Sequence, residues 1–385
     1  MLPKRVAILL PCLLTGGTEV ASYETALAFS NLGYTVTVIV YFDEVDLVMI
    51  DKFRSAGINV QCLDQVRQNN LLALVRLAQA LIKTLWTRYD LVWVQYMTPT
   101  VLPLLIGKIF SKKMVACIHF SANHFSSSGV SRVRWLSRYW LANIICVSKT
   151  TALGFFGDYK NRGTITSRVS VIPNALNMIK NLDTLPRQWQ QEQGWSSATL
   201  IIGYVGRLAR IKGVDILLQA IAKLNQNINC KLVIVGDGSE KEELISLAKD
   251  LDICHLVYFA GRISHDEVIQ TMKGFDIAVV PSRDEGFGLS ALEAMSSGIP
   301  VIASRVGALS EVVVDTVTGL LYKVEDSTEL ANKITLLLED SDQRKRLGDA
   351  GIVHVKNSYD RPVFQSNIAN LLNQININKA QGECA

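Results

Sequence analysis

Short apolar runs alternate with longer segments of helical period along nearly the whole chain. Residues 6–10, 35–41, 59–62, 91–94, 115–119, 144–147 and 169–172 form one series of such runs. Residues 200–205, 231–235, 257–259, 277–280, 301–303 and 320–322 form a second. Several are near-continuous stretches of aliphatic residues, the pattern of strands in a parallel sheet covered on both faces. Helical segments lie between them, at 19–31 and 71–88 in the first series, and opening near Gly213, Ser239, His265, Gly288, Thr328 and Asp342 in the second. Repeated β-α alternation predicts doubly wound α/β domains. Such sheets bind ligands beyond the carboxyl ends of their strands.

A chain of 385 residues suits two domains. The seam is expected between 173 and 199, where Asp183-Thr-Leu-Pro186 and residues 188–194 are polar and turn-prone. The expected division is 1–185, 186–361, and a last helix with its tail over 362–385, after the break at Tyr359-Asp-Arg-Pro362. Hydrophobic content of 49% against 19% charged residues fits a well-buried globular protein. No stretch reaches the roughly 18 apolar residues that span a bilayer. Residues 71–86 are interrupted by Arg76 and Lys83, and 101–110 by Lys108. Residues 2–14 read as a first buried strand and not as a cleavable leader. The seven cysteines are odd in number and widely spread, with no Cys-x-x-Cys pair. Neither a zinc site nor a disulfide framework is expected, and a cytoplasmic setting fits.

Charge is divided unequally. Residues 1–184 hold 19 Lys+Arg against 10 Asp+Glu, whereas 185–385 hold 20 against 25. A basic first half points to an anionic partner. No nucleic-acid module is recognisable. Lys108, Lys112, Lys113, Arg132, Arg134 and Arg138, interleaved with Trp135, Tyr139 and Trp140, fit peripheral contact with an anionic membrane surface.

The candidate chemistry sits at strand ends. The strand at 200–205 leads into Gly206-Arg207, and Lys212-Gly213 opens the next helix, so two cations stand at one sheet edge. Arg207 and Lys212 suit a diphosphate, one by bidentate contact and the other as a point charge. Farther on, Asp276-Ile-Ala-Val-Val-Pro-Ser282 runs into Arg283-Asp-Glu285-Gly286-Phe287-Gly288-Leu289 and then Ser290-Ala-Leu-Glu293. Glu285 falls in the turn and Glu293 inside the helix, with the backbone N–H groups of Phe287, Gly288 and Leu289 between them at a helix start. Such amides and carboxylates can cradle a phosphorylated polyol. In the first half, Gly16-Gly17 follows the first strand, where glycine permits close approach of a ligand to the backbone. His119 ends the strand at 115–118 and is expected to face the same edge.

Taken together, these strings resemble family 4 of the glycosyltransferases, retaining enzymes of the GT-B fold. The resemblance rests on Gly16-Gly17, Pro173-Asn174, Gly203-Tyr-Val-Gly206-Arg207-Leu208 with Lys212-Gly213, and Val235-Gly-Asp-Gly238. It continues through Phe259-Ala-Gly261-Arg262, the 276–295 string, Gly298-Ile-Pro300, Gly307 with Glu311, and Thr318-Gly-Leu-Leu321. It is dense over 200–322 and thin over 40–170. Thr18 and Ala308 stand where the family more often has Ala and Gly, and neither change touches a charged group.

The resemblance implies two Rossmann-like domains facing a cleft, an acceptor-side first domain, a nucleotide-sugar-binding second domain, and a C-terminal helix that crosses back to the first. It implies catalytic roles for Glu285, Arg207, Lys212 and His119. Donor binding would fall to Gly16, Gly17, Gly206, Arg207, Lys212, Ile263, Glu285, Gly286, Phe287, Gly288, Leu289 and Glu293. Within that set, Glu293 would hold the ribose, Glu285 the donor sugar, and Ile263 the base. It further implies transfer from a nucleotide sugar without a metal or other cofactor. The acceptor would be a saccharide or a polyprenyl- or lipid-linked saccharide, in the building of cell-surface polysaccharide, lipopolysaccharide or glycolipid. A sugar-nucleotide epimerase of the same architecture and a non-catalytic sugar-nucleotide-binding partner are the alternatives.

Overall fold

The computed structural model describes residues 4–14, 16–68, 70–97, 101–159, 168–178, 185–225, 228–375 and 377. The chain divides into two compact units, Met1–Ala175 with Arg361–Ala385, and Leu176–Asp360. In the first, strands β1 (Arg5–Leu10), β2 (Thr35–Phe42), β3 (Asn59–Gln65), β4 (Tyr89–Val94), β5 (Ser111–Ile118), β6 (Asn143–Cys146) and β7 (Val169–Val171) form one sheet. Its order is β3-β2-β1-β4-β5-β6-β7, with every neighbouring pair parallel. Helices α1 (Gly17–Asn31), α2 (Leu47–Ser55), α3 (Leu71–Leu85), α4 (Leu102–Ile109), α5 (Ser127–Tyr139) and α6 (Lys149–Phe156) connect the strands.

Alternation along β1 sorts the helices into two layers. Val6, Ile8 and Leu10 share a core with Phe29 of α1 and Phe53 of α2. Ala7 and Leu9 face the other way, into a core with Leu81 of α3, Leu104 of α4, Leu136 of α5 and Phe155 of α6.

The second unit repeats the plan. Strands β8 (Leu200–Val205), β9 (Cys230–Val235), β10 (Val257–Gly261), β11 (Ile277–Val280), β12 (Val301–Ser304) and β13 (Gly319–Tyr322) pair in parallel in the order β10-β9-β8-β11-β12-β13. Its helices are α7 (Trp189–Gln193), α8 (Val214–Ile221), α9 (Lys241–Asp250), α10 (Val268–Lys273), α11 (Leu289–Ser296), α12 (Leu309–Val312), α13 (Ser327–Glu339) and α14 (Ser341–Ser358). The short α7 and α12 have no counterpart in the apolar periodicity. Trp189 of α7 is nevertheless fully buried, stacked on Phe275 with ring centroids 6.1 Å apart.

The chain enters this unit earlier than the turn-prone stretch before Thr199 implied. Leu176 bridges to Asp360, its N–H donating to the Tyr359 carbonyl at 2.8 Å, and the Met178 N–H donates to the Asp360 carboxylate at 3.2 Å. The boundary is thus fixed by backbone pairing between residues far apart in sequence, which local composition does not report.

Helix α15 (Arg361–Gln374) belongs to the first unit although it follows the second. Its Phe364, Ile368, Leu371 and Leu372 join the core over α1, each such burial contributing about 1.5–3 kcal/mol. Arg361 anchors its start, donating to both oxygens of Glu24 at 2.6 and 2.8 Å. Glu24 is only 5% exposed, so the pair is largely withdrawn from water on its carboxylate side. Replacing Arg361 by Ala is expected to cost about 2–3 kcal/mol of stability, because a buried carboxylate loses its charge-assisted bonds. Urea unfolding followed by circular dichroism checks this, and an unchanged midpoint would refute it.

Candidate active site

Sheet order makes the second unit's crevice. Strands β8 and β11 are neighbours, yet the chain departs from them toward opposite edges of the sheet. The segments that follow them, 206–213 and 281–289, therefore come side by side at the carboxyl edge. Gly206 opens the first, its N–H bonded to the Val235 carbonyl at 3.0 Å. Arg207 is exposed, and its carbonyl accepts the Tyr204 hydroxyl at 2.9 Å. A turn at Arg210–Lys212 ends on Gly213, whose φ of +66° and close approach to the Pro281 carbonyl exclude a side chain (a Cβ would lie 2.1 Å from that oxygen).

This contact brings Lys212 and Glu285 together, Nζ to Oε2 at 2.7 Å, with the side chains 26% and 14% exposed. The Ser282 hydroxyl donates to the same carboxylate oxygen at 3.2 Å. The far side of the turn is held by the loop after β12, where the Ala308 N–H donates to the Glu285 carbonyl at 3.1 Å. Gly307 allows that approach, with φ of +47° and a notional Cβ only 2.2 Å from the Glu285 oxygen. Glu285 is thus gripped at its backbone and its carboxylate, aimed at a cation from the neighbouring loop.

Arg283 is the residue that sequence reading missed. Its guanidinium makes two parallel bonds to Asp215 at 2.8 and 2.7 Å, contacts Glu325 at 2.5 Å, and donates to the Arg210 carbonyl at 2.6 Å. Its own N–H donates to the Ile211 carbonyl at 2.8 Å. It therefore fastens the Lys212 turn to the Glu285 turn. Burial alone would raise the Asp215 carboxyl, but the Arg283 hydrogen bond and charge outweigh it and hold that group below its usual value. The available signal was an arginine inside the motif, with one acidic residue in the first turn of the helix after β8 and another just beyond β13.

Beyond Glu285 the chain turns into α11. Among the described residues, no backbone bond pairs the N–H groups of Gly286, Phe287, Gly288 and Leu289 with a carbonyl, as is usual for the first amides of a helix. The Phe287 ring is buried edge-on to Tyr359 at 6.0 Å. Glu293 lies within α11, 9% exposed, and burial pushes its carboxyl up to about 8. Ile263 is half-buried in the turn after β10.

In the first unit, Gly16 and Gly17 are exposed at the end of the β1 loop. The Thr18 hydroxyl bonds Tyr96, whose ring lies 5.7 Å from that of His119. His119 stands just beyond the end of β5 and is buried there. The indole N–H of Trp93 donates to Gln95 Oε1 at 2.7 Å, which fixes the Gln95 amide so that its NH₂ meets His119 Nε2 at 3.1 Å. Nε2 must then accept, leaving a neutral ring protonated on Nδ1. Burial lowers the His119 pKa to about 4, so the ring stays uncharged at neutral pH. Gln95 and Tyr96, both unremarked in the sequence, set its tautomer and its surroundings. Among the described residues, no three His, Cys, Asp or Glu side chains are grouped as metal ligands.

Two Rossmann-like units on wholly parallel sheets, one carrying a cation–carboxylate crevice at its switch point, define a GT-B protein. The chain belongs to the family 4 glycosyltransferases: residues 15–178 match Glycosyltransferase Family 4 and residues 187–354 match Glycosyl transferases group 1. It is similar to D-inositol 3-phosphate glycosyltransferase of Corynebacterium diphtheriae, 35% identical over 166 residues, which cover 41% of this chain and 39% of that one. It is also similar to N-acetyl-alpha-D-glucosaminyl L-malate synthase of Bacillus anthracis, 35% identical over 162 residues, 42% of each chain. The matched region thus spans about two fifths of these curated relatives' length. In fold it is similar to HepE of Anabaena, solved with UDP and glucose, at a TM-score of 0.81 and 23% identity over 96% of this chain and 99% of that one.

The raised Glu293 pKa has a stability consequence. Between the ordinary carboxyl value near 4.5 and about 8, the folded protein keeps a proton that the unfolded chain releases. Stability from this group therefore falls as pH rises through that window. Glu293→Gln removes the penalty, so its melting temperature should gain on the wild type more at pH 8 than at pH 5. A gain independent of pH would show that the carboxyl is ionised in the fold.

Proposed function

We propose that this protein transfers a glycosyl group from a nucleoside-diphosphate sugar to an acceptor hydroxyl, with retention at the anomeric carbon and without a divalent metal. The observation that carries this reading is the Lys212–Glu285 pair at 2.7 Å, with Arg207 on the same loop as Lys212. A donor diphosphate draws Lys212 and Arg207, while the sugar hydroxyls take up Glu285 and the amides of Gly286 to Leu289. Glu293 holds the ribose. The UDP and glucose bound to HepE make a uridine diphosphate sugar the first donor to test. The acceptor is a saccharide or a polyprenyl- or lipid-linked saccharide, of the kind used in polysaccharide, lipopolysaccharide or glycolipid assembly at the cytoplasmic side of a membrane.

In the reaction the bond from the sugar C1 to the diphosphate oxygen breaks and its electron pair leaves with the diphosphate. The acceptor oxygen bonds C1 on the same face, and its proton passes to the departing phosphate oxygen. Negative charge grows on the diphosphate as positive charge grows on the ring. Lys212, Arg207 and the α11 amides stabilise that anion more in the transition state than in the ground state. Glu285 grips the sugar by its hydroxyls beside the developing ring charge.

Transfer should survive EDTA undiminished, and activity that vanishes with chelation and returns with Mn²⁺ or Mg²⁺ would overturn the metal-free mechanism.

Steady-state kinetics with donor varied should separate the four charged residues. Lys212→Ala and Arg207→Ala each lose a contact worth about 1.5–3 kcal/mol, so kcat and kcat/KM should fall together by about 10- to 150-fold. Glu293→Ala should chiefly raise KM. Glu285→Ala should depress kcat more than Glu293→Ala does. The reverse pattern for the two glutamates would exchange the places of ribose and sugar along the motif.

A further inference from the structure

The inner faces of α3, α4 and α5 are absorbed by the first unit's core, through Leu77, Leu81 and Leu85, Leu104, and Val133 with Leu136. Their outer faces are not the polar surfaces that a soluble helical layer presents. On α3, Leu71, Val75 and Ile82, with Trp86 just beyond, recur at helical spacing along one outward stripe. Leu71 is 77% exposed and Trp86 69%. Arg76 and Lys83 flank that stripe and are also exposed. On α4, Leu105 and Ile109 are exposed one turn apart, beside Lys108. The Trp86 ring lies 5.7 Å from Phe110 at the end of α4, which joins the two surfaces. On α5, Trp135 and Tyr139 are exposed with their rings 5.4 Å apart, between Arg132 and Arg138. All three helices cover the same face of the sheet. Across residues 66–156, the segment that supplies this layer, there are eleven Lys and Arg and a single acidic residue, Asp90.

We propose that the outer face of α3, α4 and α5 seats on an anionic lipid bilayer. Apolar side chains standing proud of the surface enter the acyl boundary, aromatic rings occupy the headgroup level, and long basic side chains reach the phosphates beside them. The sequence pointed to Lys108–Lys113 and Arg132–Trp140 alone. The structure leaves Lys108, Trp135, Arg138 and Tyr139 exposed on this face, and it engages two of the other cations within the protein. Lys112 is engaged by Asp90 at 2.7 Å, and Arg134 Nε donates to the Phe155 carbonyl. It adds α3, the same apolar segment that is too interrupted to span a membrane. No helix among the described residues is long and apolar enough to cross one, so the surface lies on the bilayer and does not traverse it.

Charge decides between a bilayer and a second copy of the chain. A two-fold contact would set this basic face against itself, Arg76, Lys83 and Lys108 included. The one acidic group in the segment already serves Lys112 and the Arg5 N–H. Anionic lipid supplies the missing counter-charge. This reading does not depend on the donor chemistry, because it is tested without donor or acceptor.

The test is co-sedimentation of the full chain with vesicles of phosphatidylcholine alone and of phosphatidylcholine with phosphatidylglycerol in equal parts. Binding is expected only to the anionic vesicles and should weaken as salt is raised. The variant Arg76→Gln/Lys83→Gln/Lys108→Gln should lose on the order of 100-fold in partition at low salt. Leu71→Gln/Ile82→Gln should weaken binding at every salt concentration, while Val353→Gln, an exposed apolar residue of α14, should leave it unchanged. Circular dichroism melts identify any variant that misfolds, and the charge variant, confined to exposed side chains, then carries the decision. Equal sedimentation with both vesicle types, or wild-type partition by the charge variant, overturns the proposal. A concentration-dependent dimer in analytical ultracentrifugation that Leu71→Gln/Ile82→Gln abolishes also overturns it, in favour of a protein interface. Transfer to a water-soluble acceptor is assayed separately, so loss of vesicle binding with intact transfer refutes the membrane face and spares the catalytic reading.

Discussion

A parallel sheet that grows outward in both directions from its first strand must part its connections somewhere, and every recognisable chemical group here is placed by that parting. In the second unit it falls between β8 and β11, so two loops separated by some seventy residues of chain lie alongside one another. In the first it falls between β1 and β4, next to the Gly16-Gly17 loop and close to Gln95 and Tyr96. The topology supplies proximity. What the individual side chains add is orientation.

In the second unit orientation comes from a chain of opposite charges. Asp215 and Glu325 hold Arg283, Arg283 holds the backbone of the Lys212 turn, and Lys212 meets Glu285. Because the pair is already formed, the diphosphate of the proposed reaction would exchange one anion for another at Lys212 and find the ammonium partly desolvated and in place. Glu293 follows a different logic. It has burial in place of a partner, and its affinity for hydroxyl groups is coupled to whether it holds a proton.

Strands were legible because parallel strands buried on both faces need little more than aliphatic residues. The runs at 200–205 and 277–280 coincide with β8 and β11. Helix α4 was harder to read, because its inward Leu104 and outward Leu105 are equally apolar and the usual amphipathic contrast is missing. That absence of contrast is itself what the surface of the first unit is made of. Lys212 and Glu285 were each legible as residues beyond a strand end, but no local pattern pairs residues so distant in sequence. Neither the Arg283 clamp nor the Gln95–His119 bond could be read from the sequence, for each depends on which strand lies next to which. His119 shows the cost: a strand end predicts which edge a residue occupies, and not whether a neighbouring strand covers it.

The placement of α15 bears on the order in which this chain can assemble as it is synthesised. The core over α1 and α2 is closed by Phe364, Ile368, Leu371 and Leu372, which leave a ribosome only after the whole of the second unit. Among the described residues, the core under α3 to α6 draws on none beyond Val171 and needs nothing that follows the second unit. The first unit therefore emerges with one face complete and the other bare, and it waits through the whole of the second unit before Glu24 receives its arginine. Domains commonly fold in the order of their synthesis. Here the second unit is free to finish before the unit that precedes it along the chain.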